Sequence, residues 1–327
     1  MPGDDRAGFM EPGFDFPPGY EIFPCAYCGG EDFATIFLVK DKSRTASNVF
    51  RIAKCRNCSL VMLNPAPSGD TAFIYGEDYE PHKLALDDSG LKAVVRSQEP
   101  RRALVERLYP ERGAVLDVGS GDGRFLMCMR EAGWRASGCE LVPRMAEFQK
   151  GKLGLDVRRG GLLQAGFDEK SFDVATLWAV FEHLRDPLDT LVEIRRILKP
   201  GGSAVFSMPN FDSLERMVFR DGWFPLLPPQ HLFHYTPKTF KAFVDSSGLI
   251  LERTIFSTTA TGLIRSVRRT ATGAPAERAR VESGTDAGGK TNLSRALLFK
   301  TIITPTLKLF DLLHLGGSVN YVVRKRT

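Results

Sequence analysis

The chain has 327 residues, 43% of them hydrophobic, with a formal net charge of +5 and six cysteines. This length exceeds one average domain, and this apolar share is enough for a packed core. No run reaches the roughly eighteen consecutive apolar residues of a membrane-spanning helix, which excludes a simple integral membrane protein.

In chain order, "MPGDDRAGFMEPGFDFPPGY" comes first. It is acidic and proline-rich where a secretory signal would be basic and then apolar, so residues 1–19 read as a disordered leader and the setting as cytoplasmic. Next come "CAYC" and "CRNC", pairing Cys25 with Cys28 and Cys55 with Cys58 across 26 residues. Two such knuckles can offer four thiolates to one tetrahedral zinc, a closed structural site with no open position for catalysis. The strand-like runs "FATIFLV" and "VFRIAKC" between them predict a hairpin that brings the knuckles together. A cytoplasmic setting argues against disulfides. Residues 20–65 are therefore a small zinc ribbon, and 66–110 a connector with helices.

From residue 111 the pattern changes to alternating strands and helices. In "VLDVGSGDGRF", Ala114 to Val118 reads as a buried strand and Arg124 to Glu131 as a helix with Phe125, Leu126 and Met129 on its apolar face. Gly119, Gly121 and Gly123 form the turn between them. A dinucleotide loop would run G-x-G-x-x-G; here the glycines alternate, and anionic Asp117 precedes them and would repel a pyrophosphate. A cofactor with a cationic end and no phosphate suits this loop, as S-adenosylmethionine does with its ammonium and sulfonium. Glu140 ends the next strand, 23 residues after Asp117, where a carboxylate can accept both ribose hydroxyls. Cys128 and Cys139 read as buried small hydrophobes.

Later pieces continue the order. "LDVRR" is a third strand, and "SFDVATLWAVFEHLRDP" a fourth with its loop. Asp186 caps a helix beginning at Pro187, "ILKPGGSAVFSMPN" turns into a fifth strand, and Thr236 caps a helix beginning at Pro237. "LILERTIF" and "SVNYVVRKR" are the last strands, the final one over 318–325. With these pieces in order, residues 100–255 resemble a class I S-adenosylmethionine-dependent methyltransferase. The resemblance implies an α/β fold, a Rossmann-like core of seven mixed strands behind the zinc ribbon, with the methyltransferase domain over 111–327. It implies that residues 119 to 123, Ser120 among them, hold the methionine end, Glu140 the ribose, and Leu141 one adenine face. Gly161 and Leu162 would border the adenine through backbone groups or Gln164, and Trp178 would lie beneath the cofactor or serve only the core.

The ribbon, the Asn-Pro turn in "LVMLNPAPSGDTAFIYGEDYEPH" and the tyrosines after it narrow the resemblance to a bacterial group of polysaccharide-cluster and deoxysugar methyltransferases. In that group the Tyr-rich segment covers the active site, which makes Tyr75 and Tyr79 either acceptor contacts or packing of a linker. Methyl transfer to a hydroxyl or an acidic carbon needs a base. His231, in "PPQHLFHYT", falls where deoxysugar C-methyltransferases have a Glu-His pair resembling a general base, but Gln230 replaces the glutamate, which puts O-methylation on an equal footing. His183, in "VFEHL", follows strand four at the carboxyl end of the sheet and is either the base or a structural hydrogen bond. His234 is expected to pack or to bind backbone, and His82 and His314 have no supporting context.

These readings favour a small-molecule or glycan acceptor. A ribosomal-RNA-type methyltransferase with a zinc module is the second class. Against nucleic acid, residues 20–65 balance Lys40, Lys42, Arg44, Arg51, Lys54 and Arg56 with Glu21, Glu31, Asp32 and Asp41. A quinone or lipid methyltransferase with peripheral membrane contact through the apolar segment 296–315 is the third. A cofactor-binding but inactive scaffold is the fourth. The whole charge surplus lies in 265–300, whose Gly, Ala, Thr and Ser content predicts a flexible insertion over 265–295.

Overall fold

The computed structural model describes residues 19–40, 48–69, 93, 95–258, 260–272 and 304–327. The leader up to residue 18, the connector tyrosines Tyr75 and Tyr79, His82 and residues 273–303 lie outside the described residues.

The ribbon comprises β1 (Tyr20–Glu21), β2 (Phe33–Lys40), β3 (Val49–Cys55), β4 (Val61–Leu63) and β5 (Ala66–Pro67). β2 and β3 pair antiparallel with Phe33 opposite Cys55, the hairpin expected from their alternating apolar residues, while β1 pairs β5. Helix α1 (Glu99–Leu108) then leads into β6 (Ala114–Val118), α2 (Arg124–Glu131), β7 (Arg135–Glu140), α3 (Pro143–Leu153), β8 (Asp156–Arg159), α4 (Leu162–Ala165) and β9 (Phe172–Trp178). After a short 3-10 turn, Phe181–His183, follow α5 (Pro187–Ile197), β10 (Leu198–Pro209), α6 (Leu214–Phe219), β11 (Phe233–His234), α7 (Pro237–Ser246) and β12 (Ile250–Ser257). The chain ends in α8 (Ala260–Thr272), α9 (Thr304–Leu312) and β13 (Ser318–Arg324).

The large sheet has seven strands in the order β12-β13-β10-β9-β6-β7-β8. β6 to β10 run parallel, and β13 inserts antiparallel between β10 and β12. This is the expected Rossmann-like α/β fold. All five residues of β6 are buried, as a central parallel strand covered on both faces requires. Its neighbour α2 buries Phe125, Leu126, Met127, Cys128 and Met129 in succession, so it is an interior helix. Cys139 is likewise buried on β7.

The sequence signals at helix starts hold with one difference. Thr236 and Thr239 form a reciprocal capping box on α7. Asp186 stands at the N-cap of α5 before Pro187, but its side chain makes no capping bond. At "KPGG" the chain passes directly into β10 through a register shift between Leu198 and Ser203.

Two domain expectations change. β11, which follows "PPQHL" in the methyltransferase half, pairs antiparallel with β4 and becomes the fourth strand of the ribbon sheet. The ribbon thus does not close on itself at residue 65. It also docks through Tyr27, whose ring lies 4.9 Å from Phe243 and whose hydroxyl is 3.2 Å from Ser246 Oγ on α7. Second, the insertion expected to be flexible from 265 begins as helix α8, with Ser266 and Arg269 buried. Ser266 Oγ accepts from the Phe224 N–H and Arg269 donates to the Phe224 carbonyl. The helix buries the polar Ser266 and Arg269 while Val267 is 47% exposed, so no apolar period in the sequence signals it.

Candidate active site and zinc ribbon

The carboxyl ends of β6, β7 and β9 converge on the glycine loop. Gly119, Gly121 and Gly123 have φ of 67°, 59° and 78°, a region that side chains rarely enter. A Cβ on Gly119 would come within 2.7 Å of Val180, and one on Gly123 within 2.8 Å of Leu155. On Gly121 it would meet nothing within 4 Å, so the open side of the loop faces free space.

Asp117 is buried at the end of β6, where Thr176 Oγ1 donates to its Oδ1 at 2.7 Å. Burial pushes its carboxyl up to about 7, against the Thr176 hydrogen bond and the Arg101 charge, which lower it. Glu140 at the end of β7 accepts the Gly121 N–H at 2.7 Å and the Val142 N–H at 2.8 Å, one on each oxygen. Burial raises its pKa, while those N–H groups oppose the rise. A carboxylate has about four lone-pair sites, so both oxygens can still accept further donors.

The other expected cofactor residues lie around this loop. Ser120 is buried and its hydroxyl has no partner. Leu141 is half-buried just after Glu140. Gly161 is the N-cap of α4 and Leu162 its buried first residue. Gln164 Oε1 would lie 2.8 Å from a Gly161 Cβ. Trp178 closes β9 edge-on to Phe125 at 5.3 Å, with its indole N–H unpartnered. Arg101, not singled out in the sequence, lies over the Trp178 ring at 5.0 Å. The Asp117 and Glu140 acceptors, the unpartnered Ser120 hydroxyl and Trp178 N–H among the described residues, and loop N–H groups already spent on protein acceptors fit S-adenosylmethionine, whose methionine end carries an ammonium and a carboxylate beside the sulfonium.

The second half of the site is a buried polar cluster beside this loop. Ala179, at φ 57°, turns the chain sharply after β9. Val180 then touches the glycine loop, and the turn Phe181–His183 follows. Phe181 locks the turn into an aromatic cluster with Phe206 and Tyr235, ring centroids 5.2 Å away in each case. The Leu232 N–H donates to the Glu182 carbonyl at 2.9 Å. His183 and His231, weighed as alternatives, meet edge to face at 4.6 Å. His183 Nδ1 lies 2.9 Å from the Gln230 carbonyl and His231 Nδ1 2.7 Å from the Pro225 carbonyl. Carbonyls only accept, so each ring carries its proton on Nδ1 and directs the Nε2 lone pair elsewhere.

Glu182 completes the group. The sequence offers no glutamate at 230, yet Glu182 comes to His231 from the other loop, and one ligating atom from each of Glu182, His183 and His231 lies within 4.8 Å of the others. Both Glu182 carboxylate oxygens are buried without a hydrogen-bond partner among the described residues. Burial raises its carboxyl to about 8 and lowers His183 to about 4. His231 falls well below its usual value through burial and the adjacent His183 and His234. His234 is buried beside Phe211 with Nε2 unpartnered, so no backbone bond forms at that nitrogen. His314 stacks on Phe256.

In the ribbon, Cys25 Sγ lies 3.4 Å from Cys58 Sγ and Cys28 Sγ 3.6 Å from Cys55 Sγ. All four sulfurs fall within 4.8 Å of one another. A disulfide would hold them at about 2.05 Å, whereas a tetrahedron with about 2.3 Å metal–sulfur bonds has edges of about 3.8 Å. Both knuckles are built alike. The Cys25 N–H donates to the Gly30 carbonyl at 2.9 Å and the Cys55 N–H to the Leu60 carbonyl at 2.8 Å. This donor set fits a structural zinc.

Fold and site together define a Rossmann-like α/β domain with the glycine loop and strand order seen in methyltransferases. Residues 95–253 match the family described as a methyltransferase domain. A probable S-adenosylmethionine-dependent methyltransferase of Mycolicibacterium smegmatis is 26% identical over 43% of this chain and 53% of its own. The demethylmenaquinone methyltransferase of Deinococcus radiodurans is 32% identical over 37% of this chain and 54% of its own. The chain thus spans about half the length of these two curated relatives. A solved SAM-dependent methyltransferase of Archaeoglobus fulgidus is 18% identical with a TM-score of 0.47, covering 78% of this chain and 100% of that one. Among the described residues no helix is long and apolar enough to cross a membrane.

Proposed function

We propose that the protein transfers a methyl group from S-adenosylmethionine to an oxygen or an acidic carbon of a small acceptor, a sugar, nucleotide sugar or glycan, with a zinc ion holding its ribbon. One observation carries the reading: Asp117 and Glu140 flank a glycine loop whose N–H groups at 119, 120, 121 and 123 are already taken by protein acceptors, a setting suited to a cation and hydroxyls rather than to a phosphate. Asp117 and the loop 119–123 hold the methionine end, Glu140 the ribose, and Gly161, Leu162 and Leu141 the adenine, with Trp178 below. When bound, the cofactor supplies an electrophilic methyl carbon.

The cluster on the acceptor side handles the proton. His231 Nε2 carries a lone pair, Glu182 stands beside it, and the aromatic packing of Phe181 fixes the turn that positions the carboxylate. A sugar is supported by the order of parts, ribbon, connector, core and histidine segment, and by the carboxylate that Glu182 returns to the histidine. A quinone precursor is the second reading, supported by the relative that methylates demethylmenaquinone and by the exposed leucines Leu309, Leu312 and Leu313.

Incubating the protein with radiolabelled S-adenosylmethionine and a panel of nucleotide sugars, glycans, quinone precursors and RNA tests both readings. Label on the sugars supports the first and label on the quinones the second. Label confined to RNA overturns both.

A further inference from the structure

We propose that Glu182, His183 and His231 form a second metal site, for a divalent first-row transition cation, separate from the zinc ribbon and open toward the acceptor. Two imidazoles and one carboxylate from three positions make the donor set that binds such ions while leaving coordination sites free. An ion about 2.1 Å from each donor spans up to about 4.2 Å between opposite donors. One candidate ligand atom from each of the three residues lies within 4.8 Å of the others, so the side chains are close enough to converge on one ion.

Three further features fit an ion. Both histidines are oriented through Nδ1 by backbone carbonyls, of Gln230 and Pro225, the supporting bond that metal-binding histidines typically make. Nε2 is then the atom each ring would offer to an ion. Glu182 has two buried oxygens that nothing in the described protein satisfies, and a buried carboxylate without a partner is costly. Gln230 Oε1 and the Tyr235 hydroxyl, on the segment facing Glu182, are also buried and unpartnered. A hydrated ion would satisfy these groups together, where a single proton on Glu182 satisfies one oxygen.

The consequence for catalysis rests on the methyltransferase reading. With the ion bound, His231 becomes a ligand, and an acceptor hydroxyl on an open coordination position loses its proton more readily because the cation stabilises the alkoxide. The oxygen–hydrogen bond breaks, its electron pair stays on oxygen, and the proton passes to solvent. A sugar with adjacent hydroxyls, or a catechol-like ring, could occupy two positions at once.

The test is cobalt binding by the full, zinc-loaded protein, which needs no acceptor and no turnover. We expect one equivalent of Co²⁺ beyond the zinc, with the weak visible absorption of an oxygen–nitrogen site and without the intense sulfur-to-cobalt charge transfer of a thiolate site. Glu182→Gln and His231→Ala should each weaken this binding at least tenfold. S-adenosylmethionine binding checks that each variant is folded. No extra cobalt on the wild type, or equal affinity in folded Glu182→Gln, would overturn the site. Absence of cofactor binding with intact cobalt binding would instead remove the methyltransferase reading and leave the site standing.

Discussion

The Leu63 N–H donates to the Leu232 carbonyl at 2.8 Å, one residue from His231, so the four-cysteine ribbon and the histidine segment share a sheet. Arg185 adds a second tie, donating to the Pro67 carbonyl and lying over the Phe23 ring. The ribbon therefore supports the position of the cluster rather than hanging as a separate module.

From this coupling, Cys55→Ser should abolish zinc binding and also lower turnover, because β4 loses the knuckle that anchors it and β11 loses its partner strand. The cofactor loop lies on other strands, so affinity for S-adenosylmethionine should change by less than about twofold. Metal analysis, calorimetry and a turnover assay on one preparation separate the effects. Full turnover in a zinc-free variant would show that the shared sheet has no part in positioning His231.

Glu140→Ala removes the acceptor of two backbone N–H groups along with the proposed ribose contact. Hydrogen bonds to charged groups contribute about 1.5–3 kcal/mol, so affinity for S-adenosylmethionine should fall about 10- to 150-fold. Calorimetry against S-adenosylmethionine and NAD reads this directly. Tight NAD binding without S-adenosylmethionine binding would reverse the cofactor assignment.

The glycine-loop half of the candidate site was legible because it is local: a strand, three glycines and an acid, then a second acid one βα unit later. The acceptor half was only partly so. His183 and His231 each stood out, but their meeting depends on the turn Phe181–His183 and on β11 crossing to the ribbon, a two-residue strand with no periodicity to read. Glu182 escaped notice because the carboxylate was sought next to His231 in sequence, at 230, whereas it arrives from 49 residues away. Arg101 gave no signal, since one arginine among several on an amphipathic helix looks like a solvated face until the packing brings it over Trp178.

If Asp117 faces the cofactor ammonium as proposed, cofactor binding depends on pH. The folded carboxyl keeps its proton up to about 7, while an unfolded one releases it near about 3.9. The free protein thus binds more protons than the unfolded chain between these values, and its stability falls as pH rises through that window. A cationic ammonium needs the ionised form, so affinity for S-adenosylmethionine should rise as pH increases through about 7 and level off above it. Asp117→Asn should bind weakly and lose most of this dependence. Calorimetry from about pH 5.5 to 8.5 checks both; a pH-independent wild type would mean that Asp117 does not face the ammonium.

His231→Ala leaves every proposed cofactor contact in place and removes one member of the buried cluster. A positioned base contributes typically about 10² to 10⁴ in rate, and losing an ion ligand would slow the reaction by the same route, through the acceptor proton. Turnover should fall in that range with an authentic acceptor, while S-adenosylmethionine affinity stays near the wild-type value. His183→Ala should show the same pattern, because the two rings touch and share one cluster. A severe His183→Ala beside a nearly normal His231→Ala would move the chemistry to the strand-four loop and weaken the link to deoxysugar enzymes. Normal turnover in both would remove the cluster from the reaction altogether.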